Sequence, residues 1–167
     1  MTLQSAPWET SPVLPIQPDW IDYNGHLNMA FYMVLFDQGS DAVFAQLGMG
    51  PDYAASRKLT TYTGEAHICY LREVHQTMPV VSRFRMLDCD EKRMHSFQEL
   101  VHADEGWVAA TCEMMTLHVD QAGPRVAPFP DDIAANLFAM AARHKDGDWP
   151  KQAGRTIGIK RKPAGSP

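Results

Sequence analysis

Two groups of residues in this 167-residue chain have the types and spacing to do chemistry. The first is D-Y-N-G-H-L-N, Asp22 to Asn28, directly ahead of a long apolar run. Asp22, Asn24 and Gly25 are turn formers, and Asn28 is a good N-cap. A helix that starts at Met29 leaves N–H groups without intrahelical partners. Its entrance therefore suits an anion, or a carbonyl oxygen that becomes negative. Asp22 stands a few residues upstream, where a base or nucleophile is needed, and the combination suits acyl transfer. The same residues would equally build a turn and cap a helix. The second group is Glu65 and His67, two positions apart on one side of a strand, where a carboxylate could orient an imidazole. A strand-edge charge is the competing reading.

Other chemistries have less support. The chain contains neither a G-x-S-x-G elbow nor a P-loop. Its seven histidines, His26, His67, His75, His95, His102, His118 and His144, show no H-x-x-x-H or H-x-H spacing. Cys69, Cys89 and Cys112 form no C-x-x-C pair, so neither a metal centre nor a disulfide framework is expected. No cofactor is expected either. Hydrolysis would rest on a carboxylate, for which Asp22 and Glu65 are both candidates; Asp37 and Asp41 do not lie near the helix start.

The elements that must position these residues are legible in the periodicity. Met29 to Phe36 is apolar on every side, so this helix half must be wrapped by protein. Beyond it Leu35, Phe36, Gly39, Val43 and Leu47 share one face, and Gly48 is a plausible stop. A first strand is expected over Pro12 to Ile16, at an edge because of its prolines. After a connection with a possible helical turn come strands over Leu59 to Val74, bent at Gly64, then Pro79 to Leu87, Arg93 to Val101 and Trp107 to Val119. Turn residues recur between them without helical pattern, which makes an antiparallel meander and an α+β fold whose sheet is covered by the helix. A last helix, Asp131 to Arg143, is expected to pack outside, leaving residues 1–144 as a single domain and 145–167 as an extended tail.

The motif D-Y-N-G-H-L-N-x-A-x-Y-x-x-x-F-D resembles that of hotdog-fold acyl-CoA thioesterases of the 4-hydroxybenzoyl-CoA thioesterase type. In these a long helix is wrapped by an antiparallel sheet. The segments E-A-H-I-C-Y-L-R-E-V, L-D-C-D-E-K-R-M-H and A-A-T-C-E-M-M-T-L-H-V-D resemble most closely the betainyl-CoA thioesterases of carnitine breakdown. The resemblance covers about Val13 to Pro130. It implies hydrolysis of a short acyl-CoA, a catalytic carboxylate at Asp22 and the Met29 N–H near the thioester oxygen. Asn28 could bond the substrate carbonyl or the water.

A trimethylammonium acyl group would call for aromatic faces. Trp20, Tyr23, Phe31 and Tyr32 surround the turn, and Tyr62 and Tyr70 share the strand of Glu65; core filling is the alternative. Arg72, Lys92 and Arg93, with Lys160, Arg161 and Lys162 in the tail, are available for the CoA phosphates. A hotdog hydratase is a poorer fit, because Asp22 and His26 are one position short of that Asp–His spacing. A non-catalytic acyl-CoA-binding domain is the other alternative.

A net charge of -5 supplies no basic footprint for nucleic acid. No apolar stretch suits a membrane span, and the first residues lack the features of a signal peptide, so a cytoplasmic location is expected. A single hotdog leaves a sheet edge and part of its helix uncovered, so a homodimer or a dimer of dimers is expected.

Overall fold

The computed structural model describes residues 8–159. Its elements are β1 (Glu9–Thr10), a 3-10 turn (Pro18–Trp20), α1 (Met29–Gln46), α2 (Pro51–Arg57), β2 (Leu59–Tyr70), β3 (Val80–Cys89), β4 (Arg93–His102), β5 (Val108–Asp120), β6 (Arg125–Val126) and α3 (Asp131–His144). The strands form one sheet in the order β1-β3-β4-β5-β2, with β6 on β5. Every pairing among the described residues is antiparallel. β3, β4 and β5 are the expected meander. Its first turn is closed by Asp90, whose carboxylate accepts from the Lys92 and Arg93 N–H groups at 2.8 and 2.7 Å.

The first strand differs from expectation. The ladder with β3 is confined to Glu9–Thr10, and Leu14 adds one isolated bridge to Val80. Pro12 and Pro15 have no N–H to give, so the segment follows the sheet edge without extending the ladder. β2 has its expected irregularity between Thr63 and Glu65, around Gly64, but ends at Tyr70 rather than Val74. There Leu71 and Arg72 both donate to the Ala109 carbonyl at 2.9 Å, which turns the chain off the ladder.

α1 lies on the inner face of the sheet. Gly39 marks the closest approach, because a Cβ there would collide with the Ser82 side chain. Beside it runs a satisfied polar chain: Ser82 Oγ donates to Gln98 Oε1 at 2.6 Å, Gln98 Nε2 to Ser40 Oγ at 2.8 Å, and Ser40 Oγ to the Phe36 carbonyl at 3.1 Å. Removing one member would leave a buried partner unpaired, at a cost of about 1–3 kcal/mol. Tyr32, Leu35 and Phe36 pack with Leu100, Cys112 and Met114.

The second half of α1 meets α3. Val43 and Leu47 join Phe84, Met86, Ile133, Leu137 and Met140 in a second core. α3 therefore closes one end of the helix groove instead of lying outside it. Its apolar stripe has the expected spacing, but spacing alone does not say which surface a stripe covers. Among the described residues, the chain after α3 is held to the sheet: the Arg85 guanidinium donates to the carbonyls of His144 and Asp148 at 3.2 and 2.8 Å, and Trp149 meets the His95 ring edge-on. Lys160, Arg161 and Lys162 lie outside the described residues.

Candidate active site

Residues 20–28 fold as a tight hairpin at the entrance to α1. The Asn28 N–H donates to the Trp20 carbonyl at 2.9 Å, Ile21 bridges Leu27, and the Asp22 N–H donates to the His26 carbonyl at 2.8 Å. Gly25, at φ 81°, closes the turn in a conformation that side chains disfavour. The Leu27 N–H donates to the Val74 carbonyl at 2.7 Å, fastening the hairpin to the loop after β2.

Two groups in this frame remain open. Asp22 Oδ1 accepts from the Asn24 and His26 N–H groups at 2.8 and 3.3 Å, whereas Oδ2 accepts no hydrogen bond among the described residues. Asn28 caps α1, accepting from the Ala30 N–H at 3.0 Å through its side chain and from the Phe31 N–H at 3.0 Å through its carbonyl. That leaves the Met29 N–H unpartnered among the described residues, an oriented donor at the positive end of the helix. The Tyr70 hydroxyl donates to the Met29 carbonyl at 3.1 Å and so pins the first helical turn from β2.

Aromatic rings surround this frame. Trp20 stacks on Phe31 at 5.4 Å, and Tyr32 meets Tyr70 edge-on at 5.1 Å. Burial pushes the Tyr32 phenol above its ordinary range, opposed by a backbone hydrogen bond at Val74, with smaller upward contributions from Tyr70, Glu73 and Asp22. The phenol is thus within electrostatic reach of Asp22. Tyr23, 97% exposed at the turn, touches none of these rings.

Glu65 and His67 do share one side of β2, opposite Met115 and Glu113, but they sit on the outer face. The inner face at this end of β2 carries Ala66, Ile68 and Tyr70, opposite Met114, Cys112 and Ala110 of the core. The sheet therefore separates Glu65 and His67 from Asp22. Tyr62, opposite Leu117, is likewise away from the hairpin and 60% exposed. The imidazole–carboxylate pair that the outer face does build is His95 Nε2 with Glu113 Oε1, at 2.8 Å. Sequence reading missed it because its members lie on different strands.

The basic residues are divided. The Arg72 guanidinium lies 4.1 Å from the Trp107 ring centroid, just beyond β2. Lys92 pairs with Glu91 at 2.9 Å and Arg93 with Asp90 at 2.6 Å, in the β3–β4 turn. Arg93 is opposite Leu117 and Tyr70 is opposite Ala110, a separation of roughly 24 Å along β5 at 3.4 Å per residue. Asp37 and Asp41 line a cavity of about 330 Å³ with Ser40, Thr61, Thr63 and Thr116. Burial, then the Asp37 charge, pushes the Asp41 carboxyl up. The Cys112 thiol is driven up to about 12 by burial first, then by Cys69 and Glu113, which leaves it inert as a nucleophile.

Residues 16–137 match the model of the thioesterase-like superfamily. The chain belongs to that superfamily. The thioesterase is 37% identical over 145 residues to the betainyl-CoA thioesterase of Pseudomonas aeruginosa, covering 87% of this chain and 91% of that one. A putative thioesterase from Pseudomonas putida KT2440 superposes with TM-score 0.79 at 33% identity, covering 93% of this chain and 99% of the other. A Staphylococcus aureus protein solved in complex with CoA superposes with TM-score 0.85, covering 96% of this chain and all of its own; at 24% identity it shows the fold alone. That fold is the hotdog, an antiparallel sheet around the long helix α1. Among the described residues, no helix of the thioesterase is long and apolar enough to cross a membrane.

Proposed function

We propose that this thioesterase hydrolyses betainyl-CoA to betaine and CoA, with Asp22 as its catalytic carboxylate. The observation that carries the catalytic assignment is that, among the described residues, one hydrogen-bonded hairpin and helix start leaves an Asp22 oxygen free and a Met29 N–H open. The thioester oxygen would accept from the Met29 N–H, which stabilises the oxyanion as the carbonyl is attacked. Asp22 either takes a proton from the water that attacks and displaces CoA thiolate, or attacks the carbonyl itself, expelling CoA thiolate to form an anhydride that water then opens. ¹⁸O found in the Asp22 side chain after single turnover in ¹⁸O-water would establish the nucleophilic route with water opening the anhydride at the Asp22 carbonyl, because the general-base route puts label only in betaine. Asn28 holds the helix end in register, and its amide nitrogen is available to the carbonyl or the water.

The betainyl group is supported by the P. aeruginosa relative's activity and by the aromatic frame of Trp20, Phe31, Tyr32 and Tyr70. A trimethylammonium donates no hydrogen bonds, and an aromatic face offers it ~0.5–2 kcal/mol per contact. Betainyl-CoA and its neutral analogue tert-butylacetyl-CoA have nearly the same shape. The charged substrate should have the higher kcat/KM by about tenfold or more, equivalent to about 1.4 kcal/mol, with free thiol released. Equal rates would leave a general short-chain thioesterase, and no thiol from either would leave a binding protein. Among the described candidate cations, Arg72 stands closest to the hairpin and would meet the phosphates before Lys92 or Arg93.

We also infer a homodimer. Among the described residues β2, twelve residues long, pairs on one side only, with β5, and ends the sheet, while Met29 is 66% exposed on the helix it helps cover. A long unpaired edge beside an uncovered apolar helix is a surface that a second copy would bury. Light scattering at micromolar concentration should give twice the chain mass; a monomer would overturn this.

A further inference from the structure

His26 in the hairpin meets Glu73 and His75, neighbours in the loop after β2, each of the three bringing one ligand atom within 4.8 Å of the others. His26 Nε2 and Glu73 Oε2 are 3.3 Å apart. That equals the edge of a tetrahedron around zinc, roughly 3.3 Å for metal–ligand distances near 2.0–2.1 Å. The His26 and His75 rings stand edge-on with centroids 4.9 Å apart. His75 Nδ1 lies 3.0 Å from the Gly25 carbonyl oxygen, so its N–H is held there and the other ring nitrogen keeps its lone pair. A backbone carbonyl behind an imidazole is the support that metal-bound histidines commonly have. The Leu27–Val74 hydrogen bond keeps the two segments together without any metal.

We propose that His26, Glu73 and His75 form a divalent transition-metal site of zinc type at the mouth of the catalytic hairpin, through which the metal restrains hydrolysis. Two imidazoles and one carboxylate favour zinc-class ions over magnesium or calcium, which prefer an all-oxygen shell. Three protein ligands leave a fourth position open to water. His26 is bound to Asp22 through two hydrogen bonds of its main chain, the Asp22 N–H donating to the His26 carbonyl at 2.8 Å and the His26 N–H to the side-chain Oδ1 of Asp22 at 3.3 Å. A dication held by His26 would add positive charge about one side-chain length from that carboxylate, attracting it and weakening it as base or nucleophile. The restraint, though not the binding, rests on the catalytic role proposed for Asp22.

The closing experiment separates those two parts. Calorimetric titration of the metal-free protein with Zn²⁺, in the absence of CoA, should show one ion per chain. His75→Ala and Glu73→Gln should each weaken it by about 10–100-fold or more, and Mg²⁺ should not compete. Hydrolysis of betainyl-CoA should fall as zinc fills the site and return with EDTA, while His75→Ala keeps its metal-free rate and resists the same zinc. That variant also controls for zinc captured by the released CoA thiol. No zinc bound, or binding unchanged in both variants, would overturn the site whatever the enzyme's substrate. Zinc bound at these residues with hydrolysis unaffected would overturn the restraint.

Discussion

At the entrance to α1, Asp22 commits one carboxylate oxygen to two backbone N–H groups and, among the described residues, keeps the other free. On the outer face of the sheet Glu113 commits both, Oε1 to His95 at 2.8 Å and Oε2 to the Gly154 N–H at 2.6 Å. Both carboxylates are partly shielded from water, and both are held by backbone donors or an imidazole. The difference is in what remains. A saturated acceptor fastens one segment to another, and Glu113 fastens the chain beyond α3 to the sheet. A carboxylate with a free oxygen, in the same rigid hairpin as an unpaired N–H, has the two groups that an acyl transfer requires. Residue type does not separate the two regions; hydrogen-bond saturation does.

The largest effect should come from Asp22→Asn. Asparagine keeps the size of the side chain and an oxygen for the Asn24 and His26 N–H groups, so the hairpin should survive, but it serves neither as base nor as nucleophile. Turnover should fall by ~10²–10⁴ with the melting temperature nearly unchanged. Hydrolysis within a few-fold of wild type would make Asp22 structural and break the contrast at its stronger end. Glu65 on the outer face would then be the next carboxylate to replace.

A smaller effect is expected at Asn28, whose side chain caps the helix behind the open Met29 donor. Asn28→Ala removes the bond to the Ala30 N–H and should cost about 0.5–2 kcal/mol of stability, read by urea denaturation. The freed Ala30 N–H would compete with that of Met29 for the thioester oxygen, so turnover should fall by about tenfold at most. A loss as large as that of Asp22→Asn would show that the Asn28 side chain itself touches the reacting atoms.

The helix entrance was readable because its signals are local. A turn former, an N-cap and an apolar run occupy consecutive positions, and the Asn28 cap and α1 follow from them. The meander was readable for the same reason, through turn residues at regular intervals. What the sequence hid are relations between distant segments. Alternation puts Glu65 and His67 on one side of β2, but only the register with β5 reveals that this side faces away from α1. The convergence of His26 with Glu73 and His75 depends on the Leu27–Val74 contact, and His95 with Glu113 depends on a β4–β5 pairing. The prolines that marked the first segment as an edge also broke the strand expected there.

The smallest effect on hydrolysis should come from Glu113→Gln. The glutamine oxygen can still accept from the Gly154 N–H, and its amide can donate to His95 Nε2 if that imidazole takes the tautomer with its proton on Nδ1. Two charge-assisted bonds become two neutral ones, a loss of roughly 1 kcal/mol that should appear in the melting temperature. Exchange of the Gly154 amide hydrogen should quicken, because that bond ties the segment after α3 to β5. Turnover of betainyl-CoA should stay within about threefold of wild type, since the sheet stands between Glu113 and the hairpin. A collapse of turnover with the fold intact would mean that the outer face contributes to catalysis, and saturation would no longer distinguish the two carboxylates.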